Sequence, residues 1–162
     1  AMNRSIKLLA SSRKAGSSYT CMVAPYMIDS AHPLCGVNGV FNGIFLHGNA
    51  LGDAMFYGSG AGKLPTASAV VADVVDMARH QHTNIYIDWK PEKLTLVSYD
   101  DSVNRFFVRT DSPKEEVEKI FGNVSYVENV VDGEYGFTTE AMAEKDFAAK
   151  ADKINVINRI RL

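Results

Sequence analysis

A run of closely spaced glycines joins two segments whose apolar residues repeat with different periods, and this junction most constrains the fold. Before it, residues 54–57 form a short apolar run that is typical of a strand. After it, the apolar residues of the segment 65–79 fall on one helical stripe. That stripe consists of Val70, Val71, Val74, Val75 and Ala78. Pro65 suits the first helical turn, where its missing N–H is not needed. The sequence therefore predicts a strand, a tight turn over residues 58–62, and a helix that packs on a sheet.

Three further apolar runs precede this junction, and turn-forming residues separate them. The four runs are Ser5–Ala10, Tyr19–Ile28, Val40–Leu46 and Ala54–Tyr57. Their lengths and partial alternation favour strands, and the short connections favour antiparallel neighbours. We therefore expect the first half of the chain to form a mainly antiparallel sheet with one packed helix.

The second half repeats strand and helix patterns on a smaller scale after a connector of poor regularity. The predicted strands are 104–110, 124–131, 134–139 and 155–162, and the predicted helices are 112–121 and 141–153. Ser112 is the expected cap of the first of these helices, with Pro113 at its first position. The order β-α-β-β-α-β is that of a ferredoxin-like unit. The predicted class is α+β, divided into residues 1–82, a connector at 83–101, and residues 102–162.

Charge and composition exclude several classes of partner for this chain of 162 residues. The formal net charge is −2, and no cluster of Lys and Arg favours nucleic acid or a membrane surface. Cys21 and Cys35 lack metal-ligand or redox spacing, which predicts two reduced thiols in a cytoplasmic protein. His80 and His82 are two residues apart and do not share a helix face, so no metal site is predicted.

The glycine-rich turn admits a ligand, although it matches neither common nucleotide-binding motif. A P-loop requires Gly-Lys followed by Ser or Thr, but Gly62-Lys63 is followed by Leu64. A dinucleotide fingerprint requires a third glycine three residues after Gly60, where Lys63 stands instead. Free N–H groups at a helix start attract anions and dipoles. From the residues alone, a ligand-receptive turn and a purely structural turn both remain open.

Several segments of the first half together resemble homoserine dehydrogenase, and the similarity covers residues 4–80. The segments are His32-Pro33-Leu34, Val37, Gly39-Val40-Phe41-Asn42, the run from Met55 to Gly62, and the run from Leu64 to Asp73. The block from Tyr57 to Asp73 is the most specific. The resemblance implies an oxidoreductase that reduces aspartate semialdehyde to L-homoserine with NADPH or NADH. This reaction supplies the biosynthesis of threonine, methionine and isoleucine.

The resemblance also implies which parts of such an enzyme this chain contains. The Rossmann domain, the catalytic lysine and the acidic substrate-binding residues of the family lie upstream of the equivalent of Ser5. No catalytic residue is therefore assigned here, and the chain alone is expected to be inactive and not to bind the cofactor. Gly62 matches the family glycine that contacts the nicotinamide cofactor, while Gly58 and Gly60 shape the same turn. The family also implies a homodimer built through this sheet.

The second half resembles an ACT domain, a small regulatory module that some homoserine dehydrogenases carry. Residues 104–109 resemble its first strand, and residues 158–161 resemble the strand that ends these enzymes. Ligand-binding members have a Pro-Gly pair after the first strand, whereas Lys114 follows Pro113 here. An amino-acid effector such as threonine and a structural or dimer-forming role both stay open, and the departure favours the second. The alternative to a dehydrogenase fragment is a free-standing module for amino-acid sensing or dimerisation.

Overall fold

A computed structural model of the chain describes residues 2–84 and 86–162, and the side chains of residues 128–130 are also outside the description. Residue 85 belongs to the predicted connector. The described strands are β1 (Arg4–Ala15), β2 (Ser18–Asp29), β3 (Phe41–Gly48), β4 (Gly52–Ser59), β5 (Val103–Asn104), β6 (Phe106–Thr110), β7 (Ser125–Val131), β8 (Glu134–Thr138), β9 (Met142–Ala143) and β10 (Val156–Arg161). The helices are α1 (Lys63–Arg79), α2 (Lys114–Phe121) and α3 (Glu144–Ala151), with 3₁₀ turns at Pro33–Gly36 and Tyr99–Asp101. This mixture confirms the predicted α+β class.

A six-stranded sheet in the order β1-β2-β10-β6-β8-β7 organises the larger compact unit. Its four-strand part β10-β6-β8-β7 is entirely antiparallel and, with α2 and α3, has the predicted β-α-β-β-α-β order. The hairpin β1–β2 extends this sheet, because Tyr26 of β2 pairs in parallel with Arg161 of β10. The connector also joins it, since Tyr19 N–H donates to the Thr95 carbonyl at 2.9 Å.

The hydrophobic core lies between this sheet and the two helices. Its buried members are Phe106, Val108, Val117, Phe121, Phe137 and Phe147. The rings of Phe106 and Phe147 stack with centroids 3.9 Å apart, which joins β6 to α3. Phe106, Val108 and Thr110 face the helices, so the alternating residues Phe107 and Arg109 face the other side of the sheet.

A buried ion pair fastens the start of α3 to the last strand. Glu144 is 4% exposed, and its carboxylate lies 2.6 Å from Arg161 Nε and 3.0 Å from a terminal guanidinium nitrogen. Asn104 Nδ2 and the Tyr99 hydroxyl donate to the same carboxylate at 2.9 and 3.1 Å. Burial opposes the charge of Arg161, but the Glu144 carboxylate outweighs it and raises the pKa of that guanidinium. The network therefore keeps both charges in a largely dry site.

Two helices of the second half begin later than predicted. Helix α2 starts at Lys114, after Pro113 as cap residue, and no side chain among the described residues caps its N-terminus. The predicted cap Ser112 is wrong, because its hydroxyl instead accepts the Asn155 N–H at 2.9 Å. Helix α3 starts at Glu144 and not at Ala141, because the residues of β9 pair with β5.

The second compact unit, residues 30–92, contains the hairpin β3–β4 and helix α1. The four predicted runs thus form two separate hairpins and not one sheet, since β1–β2 pairs with β10 instead. Helix α1 forms as predicted, but the expectation that its stripe packs on a sheet is not met. None of its residues is buried, and Val70 and Val75 are 57% and 41% exposed. A two-stranded hairpin offers too little surface to cover such a stripe.

The two compact units begin and end at other residues than the predicted boundaries at 82 and 102. The described residues up to Asp29 join the segment that begins at Lys93, because the β1–β2 hairpin and the connector bond to one sheet. The predicted boundaries stay a prediction of how the longer protein is divided. Among the described residues, no helix is long and apolar enough to cross a bilayer.

Candidate functional site

The backbone of Gly62 turns the chain from strand β4 into helix α1. Gly62 is the cap residue of the helix with φ 117° and ψ 157°, a conformation that L side chains rarely adopt. A Cβ added there would lie 3.6 Å from the Pro65 ring, which is ordinary contact. Backbone strain, and not lack of space, therefore requires glycine at this position. The Gly62 carbonyl accepts the first helical bond, from Thr66 N–H at 3.2 Å.

Gly60 lies beside the end of the Asn42 side chain. A Cβ added at Gly60 would come within 2.7 Å of Asn42 Nδ2, so this exposed side chain would have to move. Asn42 is on β3 and pairs in register with Gly58, at which a Cβ would meet nothing. Gly60 and Gly62 thus lie in the turn, whereas Gly58 lies in strand β4 and not in the predicted turn. Asn42 is a neighbour that sequence analysis gave no role, and only its place in the β3–β4 register identifies it.

The start of helix α1 is open to a ligand. Within the described residues no side chain caps it, and its first turn contains no acidic residue. The N–H groups of Lys63 and Leu64 precede the first helical hydrogen bond, so they are left for solvent or a ligand. Phe41 and Tyr57 stack beside the turn with ring centroids 5.0 Å apart. This arrangement can receive a dipolar or anionic group on backbone donors, but it supplies no acid, base or nucleophile.

The histidines do not assemble into a site. His47 Nδ1 lies 2.5 Å from Asp53 in an exposed pair, and His80 Nδ1 lies 3.2 Å from Asp76. The His32 ring nitrogen accepts the Leu34 N–H and so closes a 3₁₀ turn. In the part of the chain that the structure describes, no three His, Cys, Asp or Glu side chains could hold a metal ion.

Side chains lie close together at the loop between β6 and α2, where the resemblance places an effector. Lys114 Nζ lies 4.9 Å from the Tyr126 ring centroid and 5.6 Å from that of Tyr135. The Tyr135 hydroxyl donates to the Ser112 carbonyl at 2.6 Å. Desolvation, followed by a bond to the Glu118 carboxylate, raises the pKa of Tyr126 to about 12. Desolvation also raises the pKa of Tyr135, so both phenols stay neutral near pH 7 beside the lysine.

The chain combines a glycine-containing strand-to-helix turn with a ferredoxin-like unit. Comparisons with known proteins show the family of enzymes to which these parts belong. A family model described as homoserine dehydrogenase matches residues 1–75. The homoserine dehydrogenase of Neisseria gonorrhoeae is 34% identical over 118 residues, which cover 68% of this chain and 27% of that protein. That of Synechocystis is 50% identical over 76 residues, which cover 44% of this chain and 18% of that protein.

Solved structures extend the similarity over almost the whole chain. The crystal structure of a homoserine dehydrogenase from Thiobacillus denitrificans superimposes with a TM-score of 0.78 at 28% identity, covering 99% of this chain and 42% of that one. The enzyme from S. aureus at pH 7.0 gives 0.69 at 25% identity. The chain belongs to the homoserine dehydrogenase family. It spans about a quarter of the length of the first of these curated relatives.

Proposed function

We propose that this chain is the C-terminal part of an NAD(P)-dependent homoserine dehydrogenase, which reduces aspartate semialdehyde to L-homoserine. The observation that carries the proposal is the Gly62 turn, which sits within the residues matched by the family model. Its strained backbone and uncapped helix start fit a glycine that touches a cofactor held mainly by another domain. The similarity to the family supports oxidoreduction as the reaction class. The turn supports contact with the cofactor as the role of this chain.

The residues of this chain would bind and orient, and would not perform the chemistry. The nicotinamide cofactor supplies the hydride when it is bound in the full-length enzyme. Gly62 would let the cofactor approach the backbone, and the N–H groups that start α1 would face its polar atoms. We assign no catalytic residue here, so the isolated chain is expected to catalyse no homoserine-dependent reduction of NAD(P).

The test uses the full-length enzyme that the source gene encodes and compares substitutions of a glycine in the turn and of a glycine in the strand before it. Gly62→Ala forces a side chain into a left-handed backbone and should raise the KM for the nicotinamide cofactor about tenfold. Gly58→Ala is the matched control, because its φ is ordinary and a Cβ there meets nothing. An unchanged cofactor KM in Gly62→Ala, with the fold intact, would remove Gly62 from the cofactor site.

Three finer properties belong to the same proposal. The two cysteines of the chain are unpaired, which supports a reducing, cytoplasmic location. The exposed apolar residues of β3, β4 and α1 support a homodimer formed through the first half of the sequence, as light scattering can check. The third property is an amino-acid effector at the ACT-like unit. The contacts of Lys114 with two tyrosine rings favour a structural role for the loop that contains it.

A free-standing sensing or dimerisation module is the second candidate function. The observation that favours it is the self-contained core of the ferredoxin-like unit, which uses residues from β6, β8, α2 and α3. Sequencing the source gene upstream of Met2 separates the two candidates. A reading frame that continues through a dinucleotide fingerprint supports the dehydrogenase, and a frame that starts at Met2 supports the module.

A further inference from the structure

The two faces of the hairpin β3–β4 differ in what covers them. Side chains alternate along a strand, so Gly43 lies on one face and Asn42 and Ile44 lie on the other. A Cβ added at Gly43 would come within 3.0 Å of Leu34, so the first face lies against the 3₁₀ turn that precedes the hairpin. On the second face, Ile44 and its register partner Phe56 are both exposed. Asn42 therefore belongs to the open face of the hairpin.

Asn42 stands at the end of this open face, beside backbone that has no side chains. Its register partner is Gly58, and Gly60 follows two residues later. A Cβ would meet nothing at Gly58, and at Gly60 it would come within 2.7 Å of Asn42 Nδ2. Glycines of this kind let a second molecule approach the backbone closely. The Asn42 amide therefore lies where such a molecule would meet it.

The structure gives the Asn42 amide no partner of its own. Asparagine is depleted in strands, because its short polar side chain favours local bonds that compete with strand pairing. Among the described residues, the Asn42 amide neither donates nor accepts a hydrogen bond. Asn104 and Asn155, in the other compact unit, each donate to a carboxylate instead. An unbonded amide beside bare glycine backbone fits a flat polar group of a ligand.

We propose that Asn42 binds the carboxamide of the nicotinamide ring when the full-length enzyme holds its cofactor. The inference rests on the proposed function, which brings the cofactor to the Gly62 turn, and it adds a side chain to a contact otherwise made by backbone. The nicotinamide ring must meet residues outside the cofactor's own domain, because the hydride leaves from that ring to the substrate. Each primary amide has an acceptor oxygen and an NH₂ donor, so Asn42 and the carboxamide can form two parallel hydrogen bonds.

The test measures the binding of NADP⁺ and NAD⁺ to the full-length enzyme by isothermal titration calorimetry. Each is compared with its 3-acetylpyridine analogue, in which a methyl ketone replaces the carboxamide and removes its N–H donors. We expect Asn42→Ala to weaken binding of the preferred dinucleotide at least about tenfold, and of its analogue no more than about threefold, because the analogue can form only one of the two bonds. Asn49→Ala is the matched control, because Asn49 is an exposed asparagine in the turn at the other end of the hairpin.

Gly60→Ala tests the same contact without changing Asn42. Gly60 does not share the left-handed backbone of Gly62, and a Cβ there meets only the Asn42 amide, which must then move. We expect this variant to weaken binding of the dinucleotide about as much as Asn42→Ala does. The double variant should bind no more weakly than Asn42→Ala alone, because both changes remove one interaction.

Three results would overturn the proposal. Wild-type affinity in Asn42→Ala would mean that the amide does not touch the cofactor. Equal weakening of the dinucleotide and its analogue would mean that Asn42 acts on another part of the cofactor or only on the shape of the turn. Additive losses in the double variant would separate Asn42 from Gly60. In each case a raised cofactor KM in Gly62→Ala would leave the proposed function standing, whereas a wild-type enzyme that binds neither dinucleotide would remove both.

Discussion

Replacing Glu144 with Gln should destabilise the ferredoxin-like unit by about 3 kcal/mol. The substitution keeps the side-chain volume, so it opens no cavity and removes only the charge. Breaking a buried ion pair on one side costs about 3–5 kcal/mol, because the remaining charge is left without compensation. The side chain of Arg161 is 15% exposed, so water can partly solvate the freed guanidinium. We therefore place the loss at the lower end of that range.

The assay must report on this unit and not on residues 30–92. Hydrogen exchange of amides in β6 and β10 does so, because those strands pair with each other and border the core. Arg161→Met should also destabilise the unit, and the double variant should lose less than the sum of the single losses. The nearby pair of Lys145 and Asp101, 2.6 Å apart and about half exposed, provides the control. Lys145→Met should leave protection unchanged.

A Glu144→Gln variant whose core amides keep wild-type protection would show that the ion pair does not stabilise the unit. Additive effects in the double variant would be equally damaging, because they would mean that Glu144 and Arg161 contribute separately. Either result would mean that the network of Glu144, Arg161, Asn104 and Tyr99 does not stabilise the unit through coupling of its charges.

Two further predictions follow from polar contacts of the second half. Ser112→Ala should lower the free energy of unfolding by about 1–2 kcal/mol, because the Asn155 N–H loses its acceptor. Circular dichroism should show unchanged helix content, since Ser112 does not cap α2. Ser125→Ala, at an exposed position, is the control. Tyr126 has a pKa raised from 10.0 to about 12, so its contribution to stability is complete below pH 10 and is lost as the pH rises to about 12. Ultraviolet titration should show that Tyr126 ionises at this high pH, and Glu118→Gln should lower the pKa of Tyr126. A Glu118→Gln variant with the same titration curve as wild type would show that the bond to Glu118 does not raise this pKa.

Local patterns predicted the second half of the fold well. The helix signal at Pro113 and the strand and helix patterns of residues 104–162 depend on neighbours in sequence, so single segments were enough to predict them. Ser112 was misassigned because its partner, Asn155, lies 43 residues away and only the tertiary fold brings the two together. Arg109 Nε and Glu134 Oε2, which lie 2.8 Å apart on neighbouring strands, were not predicted as a pair for the same reason.

The first half was predicted less completely. The glycine turn and helix α1 follow from local sequence, but the pairing of β2 with β10 joins residues far apart and has no local signal. The apolar stripe correctly predicted helix α1 but incorrectly predicted that the helix packs on a sheet. The spacing of apolar residues indicates a helix with an apolar face, but it does not indicate which surface covers that face. The contact of Asn42 with Gly60 depends on the exact register of β3 and β4, which composition cannot give.

The segment that bears Gly62 is inserted into the larger unit, which both precedes it at Asp29 and resumes after it at Lys93. Strand β2 and the connector pair with each other, because Tyr19 N–H donates to the Thr95 carbonyl. Folding of the larger unit must therefore close a loop that contains the whole segment. The entropic cost of closing a loop rises only slowly with its length, so insertions or deletions inside the segment should change the stability of the larger unit little.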